Sequence, residues 1–145
     1  MGLTVILVVV VLVVVRLLVA GRQSQGAPQG LGVQNGKLAP CSRKPNGVSD
    51  QAEDDRHRVA PLPAAWDALA ALLAREPRTK IVSQTADYLH AEARSVLFNF
   101  VDDVEFLRGD GKIHVRSASR VGTSDFGVNR KRVESIRARL VAGRG

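Results

Sequence analysis

The chain has 145 residues, a formal net charge of +7 and one cysteine. This length leaves room for one small domain once an apolar leader is set aside, and the single cysteine excludes an internal disulfide. The positive excess lies at the C-terminal end, because residues 1–110 carry 12 Lys and Arg against 12 Asp and Glu, whereas residues 111–145 carry 9 against 2. With four Phe, one Tyr and one Trp, the aromatic platforms of single-stranded nucleic-acid binders are not visible, so no specific nucleic-acid partner is expected.

The first predicted element is an apolar run over residues 3–20, which only Arg16 interrupts. As a helix rising about 1.5 Å per residue it would reach about 27 Å, enough to cross the hydrocarbon core of a bilayer. We therefore predict a transmembrane helix or signal anchor over residues 1–21. A cleaved signal peptide with an exported domain is the alternative, although no Lys or Arg precedes the run as in most signal peptides. Arg22 and Lys37 follow it, which favours a cytoplasmic domain by the positive-inside rule.

Residues 22–37 are rich in Gly, Gln and Ser and show no apolar period. This composition predicts a flexible linker. Residues 38–142 then form the predicted domain, which opens with a proline-containing loop around Cys41. A lone thiol in such a loop is weak evidence for chemistry, so we predict a structural role for it.

Two amphipathic helices are predicted near the two ends of this domain. In residues 61–75 apolar side chains recur at helical spacing among alanines, and residues 128–142 carry Val133, Ile136 and Leu140 at i, i+3 and i+7. These spacings are typical of helices with one buried stripe.

Strands are predicted between the helices, at residues 79–85, at residues 87–95 and in a hairpin over residues 96–121. Apolar residues alternate along both arms of the hairpin, which is typical of half-buried strands, and the Gly-Asp-Gly sequence between the arms is a turn signal. A turn at positions 109 and 110 would place Glu105 opposite His114, whereas a turn at positions 110 and 111 would place Glu105 opposite the next basic residue, Arg116. Both registers bring opposite charges together.

These elements predict an α+β fold. It consists of a small antiparallel four-stranded sheet with two helices packed on one face, preceded by an N-terminal membrane helix. The opposite face of the sheet is expected to be polar and charged.

That polar face is the first candidate ligand-binding site. Its side chains would converge if the middle strands are neighbours, and they are His90, Glu92, Asp103, Glu105, His114 and Arg116. Two His with carboxylates are a possible metal set, but Arg116 would repel a cation and the spacing is not diagnostic. Cross-strand ion pairs are therefore favoured, and no metal site, cofactor or catalytic residue is predicted. A serine hydrolase is disfavoured, because Ser117 and His114 would point to opposite faces of their strand.

The start of the last helix is the second candidate site. Arg130 and Arg132 lie there with Asn129, at the positive end of the helix dipole, where free backbone N–H groups bind anions. Basic residues are unfavourable at this end by themselves. Either an anionic ligand or an internal carboxylate, Asp102 or Asp125, is therefore expected to compensate them.

Several segments of the domain carry a family resemblance. They are YLHAEARS at 88–95, FVDDVEFL at 100–107, RSASRVGTSDFGVNRKR at 116–132 and VESIRARL at 133–140, with LAPC at 38–41 upstream. In combination they resemble the bacterial and plastid family known as domain of unknown function 1499, over roughly residues 38–140. The resemblance implies no established activity. Members typically have a second cysteine where this chain has Gly47, which weakens any disulfide or metal chemistry at Cys41.

From these observations we expect a membrane-tethered, non-enzymatic binding module for a protein partner or an anionic ligand, attached to the membrane through its N-terminal helix. Two alternatives stay open. One is an enzyme, hydrolase-like or metal-dependent, that uses the polar face. The other is a module that binds anionic lipid surfaces through its basic C-terminal helix.

Overall fold

Residues 2–143, which the computed structural model describes, form three helices and eight strands. The helices are α1 (Gly2–Gln23), α2 (Trp66–Arg75) and α3 (Val128–Ala142). The strands are β1 (Val33–Gln34), β2 (Lys37–Leu38), β3 (Gly47–Ser49), β4 (Leu62–Pro63), β5 (Thr79–Gln84), β6 (Tyr88–Arg94), β7 (Val101–Gly109) and β8 (Lys112–Ser119).

Six of these strands form one antiparallel sheet of order β3-β8-β7-β6-β5, with β4 paired to β8 beside β3. The remaining two, β1 and β2, pair with each other. The predicted α+β class, with an antiparallel sheet and an N-terminal apolar helix, is confirmed. The prediction of four strands is wrong, because β3 and β4 join the sheet. These strands are three and two residues long, and strands so short show no alternation in the sequence.

The β7–β8 hairpin is the centre of the sheet. Gly109 pairs with Lys112, so the turn lies at positions 110 and 111, and Gly111 adopts a φ of 69° that glycine tolerates best. In this register Glu105 lies opposite Arg116. The second of the two predicted registers is therefore the one in the structure.

The helices α2 and α3 pack on one face of the sheet. The core between them contains Leu69 and Leu73 from α2, Val133, Ile136 and Leu140 from α3, and Leu89, Val104, Phe106, Ile113 and Val115 from the strands. Phe106 and Ile113, one from each arm of the hairpin, are fully buried there. Burying a side chain of this size contributes about 1.5–3 kcal/mol. The apolar alternation of the hairpin therefore faces the helices, as predicted.

The opposite face of the sheet, here called the polar face, is covered by residues 24–41, here called the strap. The backbone N–H of Gly32 donates to Oε1 of Glu105 on β7 at 2.6 Å, and Leu38 and Ala39 of the strap are buried. Within the segment for which the composition predicts a flexible linker, Ser24, Gly26 and Gly32 are thus hydrogen-bonded to the sheet or to Arg120 just after it. Its order comes from hydrogen bonds to the sheet rather than from an apolar core of its own.

The helix α1 has 22 residues, with a mean hydropathy of 3.2 over its most apolar window, and none of that window is buried. This length and composition suit a helix that crosses a membrane, and an N-terminal signal sequence shares them. The chain that leaves α1 runs directly onto the sheet, where Oγ of Ser24 accepts the backbone N–H of Val101 at 3.1 Å.

Candidate functional site

Arg120, which the sequence analysis did not single out, organises the polar face. Its Nε and Nη2 donate to the two carboxylate oxygens of Asp103 at 2.8 and 2.7 Å, and Nη2 also donates to Oε1 of Glu92 at 2.6 Å. Its Nη1 donates to two backbone carbonyls of the strap, Ser24 at 3.2 Å and Gly26 at 2.9 Å. A guanidinium has five N–H groups. These five contacts therefore leave Arg120 no donor for a ligand.

The carboxylates around Arg120 are held in their charged form. Burial alone would raise the pKa of Asp103, but hydrogen bonds from Arg120 and His90 outweigh it and hold this pKa below its ordinary value. Burial alone would also raise the pKa of Glu92, but the neighbouring Arg120 and Arg94 outweigh it and lower this pKa. The hydrogen bond to Asp103 in turn raises the pKa of Arg120. The cluster is thus a set of mutually satisfied charges.

Glu105 is a second buried anchor on the polar face. It is fully buried, and its carboxylate accepts three hydrogen bonds, from Gly32 N at 2.6 Å, from the Tyr88 hydroxyl at 2.8 Å and from Nη1 of Arg116 at 2.8 Å. Burial, and next the hydrogen bond to Glu105, raises the pKa of Tyr88. Glu105 therefore holds the strap to the sheet.

The two histidines of the predicted site bind different carboxylates. His90 contacts Asp103 through Nε2 at 2.8 Å, whereas His114 contacts Asp50 through Nδ1 at 2.7 Å. The other oxygen of Asp50 accepts the backbone N–H of Val115 at 2.7 Å. Across residues 2–143, no group of three or more His, Cys, Asp or Glu side chains is arranged to hold a metal ion.

A cleft of about 470 Å³ lies between the start of the strap and the end of β8, and is here called the basic cleft. Its polar lining includes Lys44, Asn46, Asp103, Arg116, Ser119 and Arg120. Residues 26–29 and Leu31 of the strap line it as well. Asp103 is the acidic residue of this lining, and Arg120 already pairs with it. Arg116 is paired with Glu105 in turn, so Lys44 supplies the positive charge of this lining that no carboxylate among residues 2–143 neutralises.

Arg116 has donor capacity that the described part of the chain does not use. Its Nη1 donates to Glu105, but its Nε is buried without any hydrogen-bond partner among residues 2–143. The thiol of Cys41 lies beside this guanidinium. Burial raises the pKa of Cys41, and the neighbouring Arg116 offsets only part of that rise. The thiol is therefore protonated near neutral pH, which is not the state of a nucleophile.

The second predicted site, at the start of α3, is compensated from inside the domain. Asp125 accepts the backbone N–H groups of Gly127 and Asn129 at 2.9 and 3.1 Å. Burial alone would raise the pKa of Asp125, but these bonds and the side chain of Asn129 lower it. Oδ1 of Asn129 accepts from the Ser117 hydroxyl at 2.6 Å and from Arg132 at 2.7 Å. An internal carboxylate thus occupies the place of an anionic ligand.

The two arginines of this site are also engaged within the domain. Nη2 of Arg132 donates to Oδ2 of Asp102 at 2.7 Å. Arg130 donates to the backbone carbonyls of Arg56 and Arg58, both at 2.7 Å. The sequence analysis expected either an anionic ligand or an internal carboxylate to compensate the basic residues here. In the structure, the internal carboxylates Asp102 and Asp125 are in place.

The buried side chain of His57 pairs with an exposed carboxylate outside both predicted sites. Its Nδ1 contacts Oδ2 of Asp54 at 2.7 Å, and its Nε2 contacts the backbone carbonyl of Lys44 at 2.9 Å. The Lys44 carbonyl first, and the Asp54 carboxylate next, raise the pKa of His57. Because both ring nitrogens face acceptors, this histidine stabilises the loop that precedes β3 and has no free nitrogen for catalysis.

The predicted site residues therefore fall into separate groups. Five of them lie together on the polar face: His90, Glu92, Asp103, Glu105 and Arg116. His114 contacts Asp50 instead. Asn129, Arg130 and Arg132 lie on the helix side of the sheet. Sequence reasoning missed Arg120, Tyr88 and Asp50 as partners. The sequence could have predicted Arg120, because it lies four residues after Arg116 and residues at even spacing along a strand face the same side of the sheet.

The molecule is thus a small α+β domain that follows an apolar helix, with one face of its sheet covered by helices and the other by the strap. Residues 37–140, which are most of the chain, match the family described as Protein of unknown function (DUF1499). The chain belongs to this family, as the sequence resemblance predicted. No curated protein and no solved structure matches it. A Cβ on Gly47 would lie 2.8 Å from Cβ of Ala118, so a side chain there needs the neighbouring strand to shift.

Proposed function

We propose that this protein is a membrane-anchored binding domain without catalytic activity, and that its ligand is a small anion or an anionic headgroup held in the basic cleft. The observation that carries the proposal is the charge of that cleft. Lys44 is exposed and lines it together with Arg116 and Arg120, and the acidic lining residue Asp103 is already paired with Arg120. Ammonium and guanidinium groups are the usual protein donors to phosphate and carboxylate.

The positions of the possible acids, bases and nucleophiles support binding over catalysis. A general acid or base must reach the proton that it transfers, but His90 is 5% exposed and Glu105 is 0% exposed. Ser117 is also fully buried, between the sheet and α3. None of these three side chains lines the basic cleft.

The contacts of α3 argue against the basic C-terminal helix as the main lipid-binding surface. Arg130 and Arg132 donate to acceptors inside the domain, as described above. Arg137 donates to Glu134 and to the backbone of residues 60–61, and Arg139 pairs with Glu76. Side chains already engaged in this way contribute less to binding an anionic surface.

The anchor in this proposal is α1. Gln23, the last residue of α1, and Gly26 both line the basic cleft, so the cleft lies next to the end of the apolar helix. A phosphate group could reach it from the solution or as part of a lipid headgroup. The shared chemistry is a phosphate-like anion, and an experiment can separate the two sources.

The test uses the full chain reconstituted in nanodiscs of zwitterionic phosphatidylcholine. In the first measurement, inorganic phosphate is titrated into these discs and its binding is followed by calorimetry. In the second, the discs contain phosphatidylglycerol, and the NMR signal of Lys44 reports whether the headgroup binds. We expect saturable binding that weakens with added salt. If phosphate binds saturably, the ligand is a soluble anion. If only phosphatidylglycerol shifts the Lys44 signal, the ligand is a lipid headgroup. Either outcome supports anion binding in the basic cleft.

Two variants give the matched comparison. Lys44→Ala should weaken binding about tenfold, equivalent to about 1.4 kcal/mol. Lys112→Ala should leave binding unchanged, because Lys112 is exposed at the opposite end of the sheet, next to the β7–β8 turn. Absence of saturable binding in both kinds of disc, or equal loss in the two variants, would overturn the proposal.

A further inference from the structure

We infer that the end of the domain carrying the loop at residues 95–100 rests in the bilayer interface, with Val96 and Leu97 entering the headgroup region beside α1. This inference rests on the membrane-anchoring part of the proposed function and not on the basic cleft. The partner is therefore a lipid surface, and the evidence is the place of this loop against the end of the apolar helix.

The loop is fixed at the level where the apolar run ends. A Cβ on Gly21 would lie 2.0 Å from the carbonyl oxygen of Phe98, so the helix and the loop are in direct backbone contact. One turn later, Nε2 of Gln25 donates to the carbonyl of Asn99 at 2.7 Å. Because the apolar run reaches residue 20, the loop lies level with the end of the predicted span.

The exposure pattern of α1 also supports this placement of the loop beside the end of the helix. Within residues 2–23 of α1, Leu17, Ala20 and Gly21 are the positions that are not fully exposed. Their spacing of i, i+3 and i+4 places them on one side of the helix. This covered side includes Gly21, the residue that touches the loop, and it extends one turn into the apolar run.

The tip of the loop presents apolar side chains outwards. Val96 is 73% exposed and Leu97 is 70% exposed, whereas the rings of Phe98 and Phe100 pack edge to face with centroids 6.3 Å apart. Phe98 and Asn99 have φ angles of 60° and 54°, a conformation that side-chain-bearing residues rarely adopt. Contiguous exposed apolar groups of this kind mark interaction surfaces, and a bilayer interface buries them.

The other loops at this end of the sheet complement an anionic membrane surface. Because the strands are antiparallel, β6 ends and β7 begins here, and β8 also ends here. The loop after β8 carries Phe126, which is 89% exposed, and the loop before β3 carries the exposed residues Arg43 and Lys44. Apolar side chains flanked by cations are the composition of interfacial anchors.

The experiment measures the depth of the loop in the full chain, reconstituted in liposomes. In a Cys41→Ser background, Leu97→Cys is labelled with an environment-sensitive fluorophore and quenched either by lipids that carry a shallow nitroxide or by aqueous iodide. Asp110→Cys is the matched control, because it is an exposed turn residue at the opposite end of β7. A nine-residue strand separates the two ends by about 30 Å.

We expect blue-shifted emission at position 97, several-fold stronger quenching by lipid nitroxide than at position 110, and several-fold weaker quenching by iodide. Val96→Cys should behave like Leu97→Cys, and both side chains lie outside the core, so labelling does not unfold the domain. Equal iodide quenching at positions 97 and 110, in a chain that resists alkaline extraction, overturns the loop inference alone. A chain that alkaline extraction removes from the liposomes overturns the anchor as well, whereas the phosphate titration tests the cleft separately.

Discussion

Arg120 binds Asp103 through two parallel hydrogen bonds, from Nε to Oδ2 at 2.8 Å and from Nη2 to Oδ1 at 2.7 Å. Both side chains are less than a tenth exposed. The same guanidinium holds the carbonyls of Ser24 and Gly26, so one residue joins the middle of the sheet to the chain that leaves α1. The stability of the strap therefore depends on an ion pair within the sheet.

Replacing Arg120 by Ala should destabilise the domain by about 3–5 kcal/mol, because the change leaves buried carboxylates without their counter-charge. Arg120→Lys should recover only part of this loss, since an ammonium cannot reproduce the two parallel bonds. The measurement is urea unfolding of the full chain in detergent micelles, followed by the fluorescence of Trp66, the single tryptophan. Limited proteolysis of the folded variants should show faster cleavage within residues 24–41. Unchanged cleavage there would contradict the role of Arg120 in holding the strap.

Two arginines of α3 provide a matched pair for a second prediction. The side chain of Arg132 is 21% exposed and binds Asp102, Ser117 and Asn129, whereas that of Arg139 is 44% exposed and pairs with Glu76 at the surface. Arg132→Ala should cost about 2–3 kcal/mol, because Asp102 loses its charged partner. Arg139→Ala should cost less than about 1 kcal/mol, as exposed ion pairs usually do. Equal melting temperatures for the two variants would refute the prediction.

The hairpin and the two helices of the domain could be predicted from the sequence because their side chains alternate or recur with the period of the element. The register of the hairpin could not be predicted in the same way. Glu105 meets a basic or titratable partner in both registers, so charge pairing does not choose between His114 and Arg116. The choice follows from the turn, where Gly111 takes the positive φ.

The strap could not be predicted because the forces that order it leave little trace in the sequence. Gly32 contributes its backbone N–H to Glu105, and Ser24 and Gly26 contribute their carbonyls to Arg120. Backbone groups are the same in every residue, so a Gly- and Gln-rich segment that uses them resembles a linker. The same covering closes the polar face to solvent, where the charged side chains pair with one another and the strap adds backbone hydrogen bonds to Glu105 and Arg120.

His57 provides the last prediction, which concerns pH. Its Nδ1 contacts the carboxylate of Asp54 and its Nε2 contacts the carbonyl of Lys44, and a neutral imidazole can donate to only one of them. The folded state therefore favours the imidazolium, and the pKa of His57 is raised. A group whose pKa is higher when folded adds stability that is fully present below its unfolded pKa, about 6.5, and that is lost as the pH rises through the folded pKa.

The difference in unfolding free energy between the native chain and His57→Gln should thus be largest below the unfolded pKa of about 6.5 and should shrink as the pH rises from there through the raised folded pKa. Below about pH 4.5 both chains should lose stability, because Asp103, Glu92 and Asp125 have lowered pKa values and the stability that they add is lost as the pH falls through their folded pKa values. Urea unfolding at five pH values measures the difference. Asp54→Asn is the control, because it keeps the Lys44 contact and should flatten the profile only in part. A difference that stays constant from acid to alkaline pH would show that His57 is buried as a neutral side chain.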